Sequence, residues 1–355
     1  MSDTSTPPLS KRSRMYRNAT DVDFPEYWKR VLMVSAALVL ISVSALLVRG
    51  VNLGLEFEGG AAWELPANGV STSDARDTLR DFGLADARIQ TGDDVLRIRA
   101  ELEAEDAKVT DVTAALAGLT GVPETDVSVS TAGPSWGDEI TDKAVQALIV
   151  FFIVIAVYIT VRLRWQMAVG ALVAVAHDLV ITVGMYALFQ FEVTPPTVIA
   201  FLTIMGYSLY DTLVVFDKVR DNEFKLSSSK MSHTDVMNLS LNQVLMRSIN
   251  TSITSIMPVL SVLVVGSFIM GAVTLQEFAL ALLIGIIFGT FSSIFVAAPI
   301  ATWLRERSTG VTAESSREYR LSDAVKRRSR IAGRGSAPVV PDGAIPPRPR
   351  KQKRR

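Results

Sequence analysis

Asp211 is the residue whose position in the sequence most strongly predicts chemistry. It lies in a run of apolar and small residues at 193–221, VTPPTVIAFLTIMGYSLYDTLVVFDKVRD. From 195 to 217 there are about 22 residues, and as a helix these cover about 33 Å, enough to cross the hydrocarbon core of a membrane. A carboxylate at that depth costs at least ~2.5 kcal/mol, so it indicates a functional group, one that can take up and release a proton. The alternative is that Asp211 only accepts hydrogen bonds from neighbouring helices, which a neutral Asn does at lower cost.

Three other ionisable residues are candidates for a proton pathway with Asp211. His177 and Asp178 fall about ten residues into another apolar segment, near its midpoint. For His177, a proton relay and a packed ring bonded to a backbone carbonyl remain equal alternatives. Arg247 precedes a polar set on the first turns of a later span, and its stem is long enough to reach the depth of Asp211. Asp217, close to two basic residues, is interpreted instead as an interfacial charge.

Six apolar segments must position these residues. They are predicted as membrane spans at 31–48, 144–161, 167–189, 195–217, 248–270 and 278–303. The hydrophobic content of 49% and the mean hydropathy of +0.30 are typical of a chain that combines several spans with a soluble part. The polar segment 1–30 is predicted to be a disordered arm, and the first span has no cleavage site, so we interpret it as a retained helix.

The segment 51–140 contains no run long enough to cross a membrane and is predicted to be a soluble domain. Strands are expected at 61–65, 86–91, 94–101 and 126–131, with helices that begin near Ser71 and at 105–119. This βαββαβ order is that of an α+β ferredoxin-like domain. Its acidic side chains are interpreted as a solvated surface, since they form no recognisable catalytic or metal-binding set.

The distribution of charge predicts the orientation. The segment 51–140 has 18 acidic and 6 basic residues, whereas 305–355 has 15 basic and 5 acidic residues. The loops at 162–166 and 218–247 contain Lys and Arg, but those at 190–196 and 271–277 contain none. Both termini are therefore predicted to be cytoplasmic and the soluble domain extracytoplasmic. The tail at 305–355 is predicted to be disordered. Contact with anionic membrane lipid or with nucleic acid is one interpretation, and a simple tether without a specific partner is the other; no specific nucleic acid is expected.

Several chemistries are excluded or not expected. The chain has no cysteine, which excludes disulfides and thiolate catalysis. It contains no G-x-x-x-x-G-K-[ST] loop, so energy would come from the membrane gradient or from another protein. We therefore expect no enzyme activity, no cofactor and no metal.

Five motifs resemble the SecF family, the smaller membrane subunits of the bacterial SecD–SecF protein-export complex. They are GYSLYDTLVVFDKVRDN at 206–222, GLEFEGG at 54–60, GPSWG at 133–137, AHDLVITVG at 176–184 and RSINTSITS at 247–255. The resemblance covers about residues 24–305, and Tyr210 departs from the Asn of the family pattern. The motif and structural residues that it singles out are Gly206, Tyr207, Ser208, Thr212, Asp217, Asn250, Thr251, Gly54, Gly59, Gly60, Gly133, Pro134 and Gly137.

The resemblance implies a multi-pass subunit of the bacterial inner or plasma membrane. Its expected partners are SecD, the SecYEG channel and the preprotein substrate, and its expected energy source is the proton motive force. Because such subunits look like halves of resistance-nodulation-division transporters, a proton-driven exporter of small molecules or lipids is the alternative. One small outer domain and six spans favour the export subunit. The glycines at 54, 59 and 60 are predicted to supply backbone freedom for a sharp turn from helix into strand, with 133–137 as the return.

Overall fold

The structure is a computed structural model that describes residues 22–92, 94–100, 102, 108–225, 231–269 and 273–310. Within these residues six helices are long and apolar enough to cross a membrane: Phe24–Arg49, Trp136–Arg162, Trp165–Phe189, Pro195–Phe224, His233–Gly266 and Leu275–Thr309. Residues 1–21 of the predicted N-terminal arm and 311–355 of the basic tail lie outside the described residues, whereas 24–30, predicted to belong to the disordered arm, form the start of the first helix.

The elements are numbered here in chain order. The first half contains α1 (Phe24–Arg49), β1 (Asn52–Leu53), α2 (Leu55–Glu58), β2 (Gly60–Pro66), α3 (Thr72–Arg80), β3 (Arg88–Gly92), β4 (Val95–Ala100), α4 (Lys108–Thr120) and β5 (Ser128–Ala132). The second half contains α5 (Pro134–Arg162), α6 (Trp165–Phe189), β6 (Glu192–Val193), α7 (Pro195–Lys225), α8 (His233–Ser261), α9 (Val273–Ser292) and α10 (Ala298–Thr309). Two π-helical segments, Val262–Ile269 and Ser293–Ala297, follow α8 and α9.

Residues 51–132 form the αβ unit, a four-stranded antiparallel sheet covered by two helices. The strand order is β3-β4-β2-β5. Alternate residues of β2 and β4 point into one core with α3 and α4, and Trp63, Leu65 and Ile98 are fully buried there. A capping box starts α3, because Ser71 and Asp74 each accept a hydrogen bond from the other's backbone N–H.

The six long helices form a bundle in which α6 and α7 are the most enclosed. Over their most apolar stretches, 61% and 56% of residues are buried, against 11% for the α5 helix, whose apolar side chains face outward. Small residues allow close approach to α6. A Cβ atom on Gly184 would lie 2.1 Å from Ser42 Cβ of α1, so only glycine permits this contact.

A short ribbon connects the αβ unit to the bundle. Strands β1 and β6 pair in parallel, with Asn52 opposite Glu192 and Leu53 opposite Val193. Because β6 lies between α6 and α7, the loop that joins these two helices is fastened to the segment that leads from α1 into the αβ unit. The sequence gives no periodic signal for strands this short, and the ribbon was not among the predicted elements.

The glycine-rich connectors have two different structural requirements. Gly59 and Gly60 have φ angles of 76° and 115°, as predicted for a sharp turn into β2. Gly54 differs from the prediction, since its φ of −73° is open to any residue. It is instead required for close approach, because a Cβ there would lie 3.1 Å from the Val193 carbonyl oxygen. Likewise, a Cβ on Gly137 would lie 2.4 Å from the Phe57 carbonyl oxygen, where α2 packs on α5.

Candidate functional site

Asp211 lies on α7 inside the bundle and is only 5% exposed. Its Oδ1 accepts a hydrogen bond of 2.7 Å from Ser248 Oγ on α8. Its Oδ2 is buried and has no hydrogen-bond partner among the described residues. A buried carboxylate oxygen without a donor is costly when charged and less so when it holds a proton. Asp211 therefore presents a buried oxygen on which a proton can be held.

Arg247 is placed differently from the expectation that it reaches Asp211. Its Nη2 atom donates to the hydroxyl of Tyr210 at 3.2 Å, and the residue is exposed. No ion pair joins Arg247 to Asp211 in the part of the chain that the structure describes. The reason is the geometry of α8. Ser248, one residue later, is rotated about 100° around the helix axis toward α7, and its hydroxyl donates to the Asp211 carboxylate instead.

A second buried carboxylate, Asp178, lies on α6 and is 1% exposed. Its Oδ2 accepts hydrogen bonds from Ser208 Oγ of α7 at 2.5 Å and from Ser292 Oγ of α9 at 2.6 Å. Its Oδ1 lies 3.0 Å from His177 Nδ1, and His177 Nε2 lies 2.5 Å from Ser35 Oγ of α1. His177 thus contacts two side chains through its ring nitrogens, and four helices converge on this centre.

Helix α7 contributes to both carboxylate centres. Ser208 donates to Asp178, and three residues later Asp211 faces α8, so one helical turn connects them. Thr212 Oγ1 lies 2.9 Å from Ser293 Oγ, and the adjacent Ser292 donates a hydrogen bond to Asp178. Hydroxyl groups, which both donate and accept, therefore line the interval between the carboxylates.

The end of the bundle opposite the αβ unit contains a separate charged cluster. Glu223 of α7 lies 2.7 Å from Arg164, 3.6 Å from Arg305 Nε and 3.5 Å from His233 Nδ1. Asp217 pairs with Arg162 at 3.5 Å and with Arg220 at 3.2 Å, with its side chain 47% exposed. Asp217 thus forms partly solvated ion pairs less than two helical turns along α7 from Asp211.

The end of the bundle at the αβ unit is also charged. Arg99 of β4 pairs with Glu192 of β6 at 2.7 Å, with side chains 16% and 22% exposed. Burial raises the pKa of Glu192 above its ordinary value, and Arg99 opposes that rise. Thr194 Oγ1 donates to Glu277 at 3.0 Å nearby. The charges at this end therefore connect the sheet, the α6–α7 loop and the start of α9.

The family follows from comparison with known proteins. The profile described as "Protein export membrane protein SecD/SecF, C-terminal" matches residues 112–307, more than half of the chain. The chain is 36% identical over 298 residues to the protein translocase subunit SecF of Streptomyces coelicolor, covering 83% of this chain and 79% of that protein. The chain belongs to the SecF family. The SecF subunit of Mycobacterium tuberculosis is 38% identical over 335 residues, covering 88% of this chain and 72% of that protein.

A solved structure of a SecDF protein has a similar fold. The crystal structure of SecDF, a translocon-associated membrane protein from Thermus thermophilus, matches with a TM-score of 0.72 and 29% identity. The match covers 81% of this chain and 39% of the SecDF chain. His177, Asp178, Asp211 and Arg247 all fall within the residues matched by the SecD/SecF profile.

The remaining motif residues have mixed placements. Ser208 and Thr212 join the carboxylate network, and Thr251 Oγ1 donates to the Ser248 carbonyl. Gly206 and Tyr207 are half-buried on α7, Asn250 is exposed on α8, Gly133 precedes α5 and Pro134 begins it. Sequence reasoning missed Ser35, Ser248 and Ser292 as partners of His177, Asp211 and Asp178, and Ser293 as a partner of Thr212. Ser248 and the two serines at 292–293 lie in polar interruptions of apolar segments, which was the available signal.

Proposed function

We propose that this chain is a SecF-type translocase subunit that acts with SecD and uses the proton motive force to promote preprotein export through the SecYEG channel. Family membership supports the export role, and the resemblance to a SecDF structure supports the partnership. The observation that carries the proton dependence is the buried Asp211 carboxylate, one oxygen of which lacks a donor among the described residues.

The proposed cycle places proton exchange at Asp211. An approaching guanidinium stabilises a charged carboxylate, whereas an apolar environment favours the neutral acid. In this cycle α8 rotates, so that Arg247, here bonded to Tyr210, replaces its neighbour Ser248 beside the Asp211 carboxylate. Asp178 and His177 form a second centre, which the hydroxyl groups of α7 and α9 connect to the first. A charge that crosses ~100 mV releases about 2.3 kcal/mol, enough to drive a modest domain displacement.

We also propose that the αβ unit is extracytoplasmic and ferredoxin-like, with both termini of the chain in the cytoplasm. The strand order β3-β4-β2-β5 with two helices on one face supports the fold. The basic residues Arg162, Arg164 and Arg220, around the α5–α6 connection and near the end of α7, lie at the opposite end of the bundle, which supports the orientation. Of the predicted loop at 218–247, residues 218–225 belong to α7 and 233–247 to α8. The basic tail would then lie beside the cytoplasmic leaflet, where anionic lipid attracts it.

The αβ unit has an edge suited to weak binding of extended polypeptide. Strand β5 is at one end of the sheet, and its residues 128–131 are exposed. An extended preprotein segment can add to such an edge through main-chain hydrogen bonds. Deletion of 61–131 should abolish export activity and preserve membrane insertion of the helices.

The decisive experiment replaces the central carboxylate. Asp211→Asn keeps the side-chain size and removes the titration, so it should assemble with SecD and lose the gradient-dependent part of export in membrane vesicles. Asp217→Asn, on the same helix but partly solvated, is the matched control and should export normally. Gradient-dependent export by Asp211→Asn at the wild-type rate would refute the mechanism. Purification in mild detergent should recover SecD and the channel, whereas self-association alone would favour the small-molecule exporter.

A further inference from the structure

The loop between the two carboxylate-bearing helices is built into the αβ unit. Helix α6 carries Asp178 and ends at Phe189, and α7 carries Asp211 and begins at Pro195. The intervening β6 pairs with β1, and the Gly54 N–H donates to the Val193 carbonyl at 2.8 Å. Any displacement of the outer ends of α6 and α7 must therefore move this ribbon or break its hydrogen bonds.

Arg99 clamps the ribbon to the four-stranded sheet. From β4, its Nη1 atom donates to the Leu53 carbonyl on β1 at 3.0 Å. Its Nη2 atom lies 2.7 Å from Glu192 Oε2 on β6. One planar guanidinium thus contacts both strands of the ribbon, which a point charge such as Lys does not do. The pair is mostly buried, so salt screens it weakly.

The space beside this clamp is open. A cleft of about 210 Å³ lies between the uncovered face of the sheet and the outer helix ends, and Arg97, Arg99, Glu192, Thr194 and Glu277 are among its lining residues. The sheet therefore does not rest on close-packed side chains here. The ribbon and Arg99 hold the sheet to the α6–α7 loop while leaving room for tilting.

We propose that Arg99 is a positioning residue for the gradient-driven cycle. By holding the ribbon on the sheet, it makes the αβ unit follow the outer ends of α6 and α7 when Asp211 exchanges its proton. This inference rests on the proposed function and adds the route by which a movement of the membrane helices is transmitted to the αβ unit. The ribbon moves as an intact body, and the αβ unit tilts over the cleft.

Charge reversal tests the clamp. Arg99→Glu and Glu192→Arg should each lower gradient-dependent export about tenfold, without changing membrane abundance, SecD copurification or gradient-independent export. The double exchange restores the ion pair but not the bond to Leu53, so it should recover at least a third of the wild-type rate. Arg80→Glu is the control in the same αβ unit, because its pair with Asp77 is exposed and it does not line the cleft, and it should export normally. Wild-type export by both single variants, or no recovery in the exchange, would overturn the proposal.

A cross-link tests whether the ribbon stays closed. Leu53 and Val193 are paired across the ribbon and the chain has no cysteine, so Leu53→Cys with Val193→Cys forms a unique oxidisable pair. Gradient-dependent export should survive oxidation, and a loss that reductant reverses would overturn transmission through an intact ribbon. The two hypotheses fail separately. Normal export by Asp211→Asn removes the proposed function, whereas a defective Asp211→Asn with a normal Arg99→Glu removes only the clamp.

Discussion

Ser208 Oγ donates a hydrogen bond of 2.5 Å to Asp178 Oδ2, which joins α7 to α6 at a buried carboxylate. Among the described residues, Asp178 has two hydroxyl donors on this oxygen, the other from Ser292, whereas Asp211 accepts one hydroxyl bond, from Ser248. The two carboxylates are thus inequivalent: both oxygens of Asp178 contact side chains, and one oxygen of Asp211 has no hydrogen-bond partner in the described part of the chain.

Ser208→Ala tests the role of that bond. Removing one donor from a buried carboxyl group should destabilise the protein by about 0.5–1.5 kcal/mol, the typical net contribution of one hydrogen bond. Gradient-dependent export should fall with it. Thr203→Val, on the exposed side of the same helix, is the control and should change stability by less than about 0.5 kcal/mol. Thermal unfolding in detergent measures both, and equal effects would assign Ser208 no special role.

Tyr210 is predicted to orient Arg247. Tyr210→Phe keeps the ring and removes the hydroxyl that accepts from the guanidinium. The hydrogen bond that orients Arg247, with a net contribution of about 0.5–1.5 kcal/mol, is then lost. We expect a several-fold reduction in gradient-dependent export, and a partial defect in Arg247→Lys because it lacks the planar fork. Export rates in vesicles at a fixed proton gradient measure these effects. If Tyr210→Phe matched the wild type while Arg247→Lys failed, Arg247 would act without its Tyr210 contact.

Gly184 is predicted to tolerate no side chain. In Gly184→Ala the new methyl group would overlap Ser42 on α1, so overpacking should cost about 1–3 kcal/mol and loosen α1 from α6. Gly118→Ala is the opposite case, because this exposed helical position has open space around it. There the substitution should stabilise by up to about 1 kcal/mol. Melting curves of the two variants should shift in opposite directions, and a shift of the same sign would contradict the packing argument.

Glu192 predicts a specific pH dependence. Burial raises its pKa in the folded protein above the unfolded value, and Arg99 counteracts part of that rise, with Glu56, Arg97 and Arg88 as further charged neighbours. The folded state therefore binds the proton more tightly, and stability from this group is full below the unfolded pKa and lost as pH rises through the folded one. As pH falls through this window, the wild type should gain stability relative to Glu192→Gln. A constant difference across that window would rule out the raised pKa.

The αβ unit shows how far local sequence signals reach. The capping box at Ser71 and Asp74 and the alternation along β4 are local, and both are present in the structure. The ribbon of β1 and β6 is not local, because it joins strands of two residues that are about 140 positions apart, and such pairing leaves no periodic pattern.

In the candidate site, too, local features could be predicted from the sequence and contacts between distant residues could not. An acidic residue inside an apolar run can be recognised from the sequence alone, so Asp211 and Asp178 could be singled out. Their partners could not, because spans are full of serines and threonines that bond to their own helix, as Thr182 does to the Asp178 carbonyl. Arg247 shows the limit of an argument from reach: its side chain is long enough for Asp211, but Ser248 occupies that position.

The π-helical segment Ser293–Ala297 changes the phase of the last span. Each residue of an α-helix advances the face by about 100°, so one additional residue in a turn redirects everything that follows. Before the segment, Ser292 is directed at Asp178. At its last residue, Ala297, and beyond it at Ala301, the span packs so closely on α6 that a Cβ on Gly170 would lie 2.7 Å from the Ala297 carbonyl oxygen. Deleting one residue here would keep the helix but misalign its two halves, so that either the carboxylate or the glycine contact would be lost.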